Sequence, residues 1–345
     1  MGGGRGAKSE PAKLERFEFR QTHMGSEFKL LLYCAEESTA RRASEAAFAR
    51  IAQLDAALSD YNPESELMRL CDRAGGPPVP VSDDLFRVLE RAQEMARRSE
   101  GAFDVTVGPV VRLWRRARRT RQLPDPARLE RARSLVGYPM VHLDPKTRSV
   151  RLEKAGMKLD LGGIAKGFAA SEALAVLRQQ GITRALVAGA GDIVVGDPPP
   201  DAEGWTVGVA PLEQPEAPPQ RYLLLHNAAV STSGDTERFV EIGGTRYSHI
   251  VDPRTGLGVV ARSSVTVVAP EGALADSLAT AVYVLGPERG LRLVEATEGA
   301  AALIVRVSEP GRQAIESKRF SQLPTPRPGP DSPPSGDAKN RSTKD

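Results

Sequence analysis

The order in which helical and strand patterns occur along the chain is the strongest constraint on its fold. Helical spacing of apolar residues begins after Ser38, where Phe48, Ile51 and Leu54 share one face. Short alternating runs bounded by turn residues dominate the second half. Helices are predicted over 38–58, 85–98, 168–178 and 274–285, and strands over 28–33, 157–161, 185–188, 193–195, 205–209, 228–231, 247–251 and 264–269.

The predicted helices are bunched, and the strands do not alternate with them in regular strand–helix–strand units. We therefore expect an α+β fold with mixed or antiparallel sheets and flanking helices. Both ends have a composition that cannot bury a core, since 1–15 is Gly-rich and charged and 321–345 is Pro-rich. The folded domain is thus predicted over 16–320, between two disordered tails.

Size and composition narrow the class of protein. The chain has 345 residues, 40% of them hydrophobic, so its core is large enough to fold without a disulfide or a structural metal. The formal net charge of +3 does not by itself indicate a nucleic-acid partner. Cys34 and Cys71 form no ligand cluster, and two buried small hydrophobic residues are favoured over a bridge. No signal-peptide or membrane-span pattern is evident, and the compartment stays open.

A cluster of arginines lies between Arg112 and Arg121, with six arginines within ten residues. Such a cluster is typical of a solvated helix face or loop. Alternatively, it indicates contact with an acidic partner or an anionic membrane surface. Only Trp114 places an aromatic ring within the cluster, which disfavours a single-stranded nucleic acid as the partner.

A glycine-rich segment, Leu159-Asp160-Leu161-Gly162-Gly163-Ile164-Ala165-Lys166-Gly167, joins a predicted strand to a predicted helix. Its glycines let the backbone approach a ligand, and the helix start behind them offers free N–H groups to an anion. Lys166 adds positive charge at the same place. The segment lacks the Lys-Ser/Thr pair of a P-loop. A phosphate-binding turn and a plain tight turn with a solvated lysine both fit this pattern.

Asp276 and Thr280 are four residues apart on the last predicted helix, and so lie on one face. A carboxylate and a hydroxyl form a suitable half-site for Mg²⁺, which shares its coordination shell with waters and substrate phosphates. The alternative is structural, because an acidic residue in a first helical turn complements the helix dipole and Thr often bonds its own backbone. The spacing alone favours the structural interpretation.

His249 lies at the end of a predicted strand, directly before a turn. The turn is Asp252-Pro253-Arg254-Thr255-Gly256, in which Asp initiates, Pro fixes φ and Gly closes. Alternation would place Tyr247, His249 and Val251 on one strand face. Functional groups collect in loops, although a lone strand histidine is more often a structural residue.

A further loop-like segment between Gly101 and Pro109 contains an aromatic ring and a carboxylate. Phe103 is suited to flank a flat ring, and Asp104 to accept a hydrogen bond from a ring or ribose donor. Core packing of Phe103 beside a turn carboxylate is the equal alternative.

Taken in order, these segments resemble the ApbE family, the FAD:protein FMN transferases. Each segment alone is weakly specific, so the identification depends on their joint order over about 24–290. The seven segments are 24–25, 61–66, 101–109, 159–167, 232–235, 248–256 and 275–286.

The resemblance implies a site for FAD and Mg²⁺ in a cleft of an ApbE-like fold. Similar enzymes bind Mg²⁺ at positions that match Asp276 and Thr280, with a backbone oxygen near Gly163. His249 matches a histidine tied to activity, and Asp276 is the carboxylate suited to act as general base. The positions that match FAD-binding residues are Met24, Tyr61, Ala102, Phe103, Asp104, Asp160, Lys166 and Ile250.

The implied reaction is Mg²⁺-dependent transfer of the FMN part of FAD to a threonine hydroxyl of an acceptor protein, with release of AMP. The expected acceptor is a flavoprotein, a membrane-associated electron-transfer subunit, and no nucleic acid takes part. Two alternatives stay open: an Mg²⁺-dependent FAD pyrophosphatase that yields FMN and AMP, and a non-catalytic FAD carrier. Relatives are usually periplasmic or membrane-anchored.

The chain departs from the family pattern at a few positions. Its segment Val187-Ala188-Gly189-Ala190-Gly191-Asp192 stands where relatives usually carry Asn-Ala-Gly-Gly-Asp. Thr236 replaces a common aromatic residue, and Leu257-Gly258 replaces a residue followed by proline. These departures remove no implied ligand, so they bear on affinity and on the choice of acceptor.

Overall fold

A computed structural model describes residues 13–209, 212, 218–219, 221–234, 239–308 and 311–326. The predicted tails lie mostly outside the described residues, which include only 13–15 of the first tail and 321–326 of the second. Asp235 and Thr236 also lie outside them. Among the described residues, no helix is both long and apolar enough to cross a membrane.

The strands and helices are numbered in chain order. The strands are β1 Glu15–His23, β2 Ser26–Cys34, β3 Val79–Pro80, β4 Val141–Asp144, β5 Ser149–Leu152, β6 Ala185–Gly189, β7 Asp192–Val195, β8 Trp205–Val209, β9 Arg221–Leu225, β10 Ala228–Gly234, β11 Phe239–Ile242, β12 Thr245–Ser248, β13 Val251–Asp252, β14 Leu257–Gly258, β15 Ser263–Ala269, β16 Ala301–Ser308 and β17 Gly311–Glu316. The helices are α1 Glu37–Leu58, α2 Glu66–Asp72, α3 Asp83–Arg98, α4 Gly108–Thr120, α5 Pro126–Arg133, α6 Ala165–Gln179, α7 Gly272–Leu285 and α8 Pro287–Glu295.

An antiparallel sheet of eight described strands forms the centre of the protein, in the order β1-β2-β6-β7-β10-β15-β16-β17. Every residue of β15 is buried, so both faces of the sheet are covered. Val267 packs in the cluster on the helix side, whereas Val268 packs with the β8–β9 hairpin and Phe320 on the other side. The alternation along β15 therefore builds three layers: helices, sheet and hairpin.

A smaller apolar cluster attaches α4 and α5 to the β11–β12 hairpin. Its centre is Trp114, whose indole N–H donates to Gly256 O at 2.8 Å. The Trp114 ring also lies against Tyr247, with ring centroids 5.1 Å apart. This cluster fixes the turn that follows His249 onto α4.

Two helices on the sheet approach each other without intervening side chains. A Cβ placed on Gly167 of α6 would lie 2.2 Å from Gly272 O of α7, which only glycine allows. Gly272 N–H also donates to Ser171 Oγ of α6 at 2.9 Å. The contact brings the first turns of α7 against the N-terminus of α6, and this position matters for the site.

The predicted α+β class with antiparallel sheets is confirmed. The predicted helices correspond to α1, α3, α6 and α7, with ends displaced by a few residues. The strands predicted over 28–33, 185–188, 193–195, 205–209, 228–231 and 264–269 correspond to β2, β6, β7, β8, β10 and β15. Cys34 and Cys71 are buried and not bonded to each other.

The strand predicted over 157–161 is wrong. Met157, Leu159 and Leu161 are buried as the alternation requires, but the segment joins no described sheet. Instead, Leu159 N–H donates to Cys71 Sγ at 3.2 Å, and Asp160 N–H donates to Val105 O at 2.8 Å. The alternating burial over 157–161 therefore arises because an extended segment packs against a helix and a loop.

The strand predicted over 247–251 is interrupted, so Tyr247, His249 and Val251 do not share one strand face. β12 ends at Ser248 and β13 begins at Val251. Ile250 N–H donates to Ser248 Oγ at 3.1 Å, which bends the chain at His249. The histidine therefore lies in a connection between two short strands.

Candidate functional site

The glycine-rich turn leads directly into α6, as the sequence predicts. Gly162 N–H donates to Asp160 Oδ1 at 2.8 Å, which closes the turn. The residue before the helix, Ile164, provides no side-chain cap. Gly162 is exposed, and Gly163 and Lys166 are half-buried. The start of α6 therefore lies near the surface, and Lys166 lies in its first turn.

The cap of α6 comes from the neighbouring helix. Asp276 of α7 is buried, and its Oδ2 accepts from Gly167 N–H at 3.2 Å. A carboxylate at a helix N-terminus is stabilised by the helix dipole. The close contact between Gly167 and Gly272 makes this bond possible, because a side chain at either position would separate the helices.

A second buried carboxylate, Asp192 of β7, lies close to Asp276. Burial, together with the charge of Asp192, raises the pKa of Asp276 to about 8, while Lys166 opposes the shift. Burial likewise raises the pKa of Asp192, against the opposing effects of Lys166 and the Ser231 hydroxyl. Asp192 Oδ1 is buried and has no hydrogen-bond partner among the described residues. Ionisation of both carboxyl groups would therefore place more negative charge there than Lys166 compensates.

Thr280 lies one turn after Asp276 and packs against the glycine turn. A Cβ on Gly163 would lie 2.9 Å from Thr280 Oγ1, so the hydroxyl is placed against the Gly163 backbone. Ser233 Oγ of β10 lies 3.3 Å from the same hydroxyl. The structure thus brings together Gly163, Asp276 and Thr280, the three positions predicted to hold Mg²⁺.

The oxygen set around Asp276 has the chemistry that Mg²⁺ requires. It combines carboxylates, a hydroxyl and backbone oxygen, and hard oxygen ligands that leave room for water and phosphate are typical of Mg²⁺ sites. The unpartnered Oδ1 of Asp192 and the raised pKa of both carboxyl groups show that a cation would be favourable there. In the described part of the chain, no group of three or more His, Cys, Asp and Glu forms a metal cage.

Aromatic and acidic residues of the 101–109 segment lie behind the turn. The Phe103 ring would be 3.3 Å from a Cβ on Gly163, and both Phe103 and Ala102 are buried. Asp104 accepts from Thr106 N–H, Thr106 Oγ1 and Tyr138 N–H at 2.8, 2.6 and 2.7 Å. Burial raises the pKa of Asp104 although these bonds oppose the shift. Asp104 thus anchors its own loop, and its contact with FAD stays a prediction.

Tyr61 and Asp160 are joined through an arginine that the sequence analysis did not assign to the site. Arg115 of α4 forms ion pairs with Asp60 at 2.5 Å and Asp160 at 3.0 Å. Its guanidinium lies 4.1 Å from the centre of the Tyr61 ring, which is 72% exposed. Burial and the charge of Asp160 raise the pKa of Asp60, and Arg115 opposes that shift. The arrangement presents one open face of an aromatic ring, supported from behind by a cation.

The other predicted site residues lie on two separate connections. Met24 occupies the turn between β1 and β2, with φ of 51°, and its N–H donates to Asp55 Oδ2 of α1 at 2.7 Å. His249 and Ile250 lie between β12 and β13, and Ile250 O accepts from Val259 N–H at 2.9 Å. The assignment of these three residues to FAD and catalysis stays a prediction.

A cavity of about 690 Å³ lies elsewhere, between α3, α6 and the start of α7. None of the predicted site residues lines it. Its rim carries the ion pairs Arg87–Glu172 at 2.8 Å and Arg91–Glu271 at 3.1 Å between partly exposed side chains. We assign the chemistry to the glycine turn, because the buried carboxyl pair with the unpartnered Oδ1 of Asp192 lies beside it.

An α+β fold that sets the start of a helix beside a buried carboxylate pair defines a class of proteins suited to phosphate-bearing ligands. Within that class, the chain belongs to the ApbE family, whose model matches residues 24–304. The predicted family membership is thereby confirmed.

The relatives agree with this assignment. The chain is 36% identical over 277 residues to the FAD:protein FMN transferase of Treponema pallidum, covering 76% of each protein. It is 33% identical over 294 residues to that of Klebsiella pneumoniae, covering 84% of this chain and 89% of the relative. The solved flavin transferase ApbE from Vibrio cholerae superposes with a TM-score of 0.80 at 26% identity, over 90% of this chain and 100% of that one. The apbe protein from Thermotoga maritima gives 0.79 at 29% identity, over 90% and 99%.

Proposed function

We propose that this protein is an FAD:protein FMN transferase that moves the FMN part of FAD to a threonine hydroxyl of an acceptor protein, using Mg²⁺ and releasing AMP. The names of its relatives support the transfer from FAD to a protein. The observation that carries the mechanism is the convergence of Gly163, Asp276 and Thr280 beside the unpaired carboxylate oxygen of Asp192.

Asp276, Thr280 and the backbone at Gly163 would hold Mg²⁺, and Asp192 would add negative charge behind them. When bound, Mg²⁺ neutralises pyrophosphate charge and polarises the phosphorus atom that is attacked. The N-terminus of α6 and Lys166 offer further positive charge to the pyrophosphate. Lys166, whose Nζ donates to Gly162 O at 3.2 Å in the turn, would offset the charge of the departing AMP.

The acceptor hydroxyl must lose a proton as its oxygen attacks phosphorus. Asp276 is the carboxylate we assign as the proton acceptor, because it is the carboxylate beside Thr280 and the glycine turn. His249 would position the acceptor or the pyrophosphate from the connection between β12 and β13. Tyr61 offers its exposed ring to one of the flat ring systems of FAD, with Phe103 and Asp160 on the side of the turn.

Mass spectrometry of an acceptor tests this proposal directly. The protein is incubated with FAD, Mg²⁺ and a threonine-bearing acceptor domain, such as an electron-transfer flavoprotein subunit. We expect the acceptor to gain the mass of one FMN, with one AMP released per label. Asp276→Asn should lower the rate at least about 100-fold, which is typical for the loss of one preorganised electrostatic contact. Asp144→Asn, at the exposed end of β4, is the matched control.

Two other outcomes would refute the transfer. Release of AMP at the same rate without a labelled acceptor would show that water is the acceptor and that the protein is an FAD pyrophosphatase. Tight FAD binding without AMP would show a carrier. Full activity of Asp276→Asn would refute the metal and base assignment while leaving the transfer itself intact.

A further inference from the structure

The outward face of α4 carries a row of exposed arginines. Arg112, Arg116 and Arg119 are spaced by four and three residues, so they form one stripe, and Arg121 follows the helix end. We call these four residues the arginine row. The apolar side of α4, with Trp114 at its centre, is buried against α5 and the β11–β12 hairpin. The row therefore faces solvent because the fold directs it there.

The charge of the chain segment around this surface is unbalanced. Between Gly108 and Ser134 the chain has nine arginines and only two acidic residues. Both acids are engaged, because Asp125 accepts from Arg128 N–H at 2.9 Å and Glu130 pairs with Arg133 at 2.9 Å. Arg50, by contrast, is neutralised by Asp84 and Glu172 at 2.5 Å each. A basic stripe of this kind attracts acidic partners and steers their approach.

The arginine row lies at the edge of the candidate site. Arg115, adjacent to Arg116 on α4, flanks the row and pairs with Asp60 and Asp160. On its buried side, α4 holds the turn after His249, because the Trp114 indole N–H donates to Gly256 O. A helix is about 10–12 Å wide, so the row lies within about one helix diameter of Asp160. A protein that brings a hydroxyl to this site must cover part of that rim.

We propose that the arginine row docks an acidic surface of the acceptor protein next to its target threonine. This inference rests on the proposed function, which requires a protein to approach the site. The pyrophosphate of FAD has its own cationic partners at Lys166 and the start of α6, so the row is not needed for FAD. Arginine forks match carboxylates in bidentate pairs, which favours an acidic protein surface as the partner.

The test uses two fluorescein-labelled peptides with one threonine each. In one peptide Asp and Glu flank the threonine, and in the other Asn and Gln replace them. Binding is measured by fluorescence anisotropy at low ionic strength, and FMN attachment by mass spectrometry. The wild-type protein should bind the acidic peptide at least about tenfold tighter, with a lower KM for FMN attachment and a preference that salt weakens.

The decisive variant reverses three charges, Arg112→Glu/Arg116→Glu/Arg119→Glu. It should lose the preference for the acidic peptide and keep the wild-type KM for FAD. The matched control, Arg42→Glu/Arg151→Glu/Arg292→Glu, reverses three exposed arginines on other faces and should keep the preference. Circular dichroism of both variants verifies that they fold.

Specific results would overturn the docking surface. These are equal binding of both peptides by the wild type, an unchanged preference in the triple variant, or a raised KM for FAD in that variant. Row-dependent binding to vesicles containing phosphatidylserine, without peptide preference, would identify a membrane contact instead. If neither peptide is labelled and FAD yields no AMP, the proposed function fails, whereas the docking surface is still judged by anisotropy.

Discussion

Replacing Gly167 by alanine tests whether the contact between α6 and α7 sets the geometry of the site. The new Cβ would lie 2.2 Å from Gly272 O, 2.6 Å from Gly272 C and 2.9 Å from Asp276 Cβ. Ordinary contacts of a Cβ begin at 3.4 Å. The helices must therefore separate by about 1 Å, because the backbone atoms of Gly272 cannot rotate away.

Two effects of the substitution oppose each other. Alanine is favoured over glycine inside a helix by about 1 kcal/mol. Overpacking costs about 1–3 kcal/mol, and a clash with backbone belongs at the upper end of that range. We expect Gly167→Ala to lower the free energy of unfolding by about 1–2 kcal/mol. It should also lower the rate of flavin transfer by up to about 100-fold, because the change shifts Asp276 relative to Gly163.

Urea unfolding and steady-state flavin transfer measure the two effects separately. Gly272→Ala should behave alike, since its Cβ would lie 2.1 Å from Gly167 O. Gly311→Ala serves as control, because a Cβ on Gly311 meets nothing within 4 Å. An unfolding midpoint for Gly167→Ala at or above that of the wild type would refute the packing argument. A normal transfer rate in a destabilised variant would refute only the link to the site.

Three further predictions concern the charges of the site. Asp192→Asn should stabilise the metal-free protein and weaken Mg²⁺ binding, because it removes a buried charge with an unpartnered oxygen. Urea unfolding in EDTA and in Mg²⁺ measures the two effects, and a metal-free variant less stable than the wild type would contradict the prediction. Because the pKa of Asp276 is raised to about 8, the folded metal-free protein keeps a proton that the unfolded chain releases, so stability should fall as pH rises from about 4 to about 8. Thermal melts in EDTA should show this slope in the wild type, and an equal slope in Asp276→Asn would count against it. Arg115→Met should raise the KM for FAD about tenfold, and Arg115→Lys should raise it less. The lysine ammonium can pair with Asp60 and Asp160 but stacks less well than a guanidinium on Tyr61. An unchanged KM in Arg115→Met would exclude a role of Arg115 in FAD binding.

Local patterns predicted the elements of this fold well wherever one face is buried. The helical spacing in α1 and α7 and the apolar runs in β6 and β15 report burial directly. The same signal failed at 157–161, because alternation records which side chains are buried and not whether the backbone finds a strand to pair with. At His249 a serine hydroxyl that bonds the next-but-one N–H ended the strand early.

The candidate site was predictable where its residues share one segment or one helix face. Asp276 and Thr280 are four residues apart, so the helical period placed them together, and the family resemblance supplied Gly163 as their partner. Asp192 and Arg115 were missed, because their roles depend on neighbours far along the chain. Asp192 lies close to Asp276, and Arg115 pairs with Asp60 and Asp160. One available signal for Asp192 was its place just after a glycine turn in a buried strand.

The packing of the sheet and the chemistry of the site depend on each other. β7 and β10 contribute Asp192 and Ser233 from the middle of the sheet, while α6 and α7 contribute Lys166, Asp276 and Thr280 from above it. Without a cation, two ionised carboxylates would repel each other, so the pair keeps a proton below about pH 8. A cation that binds there removes this repulsion and gains affinity from it. A site preassembled in this way needs little reorganisation when FAD arrives, which lowers the barrier to transfer.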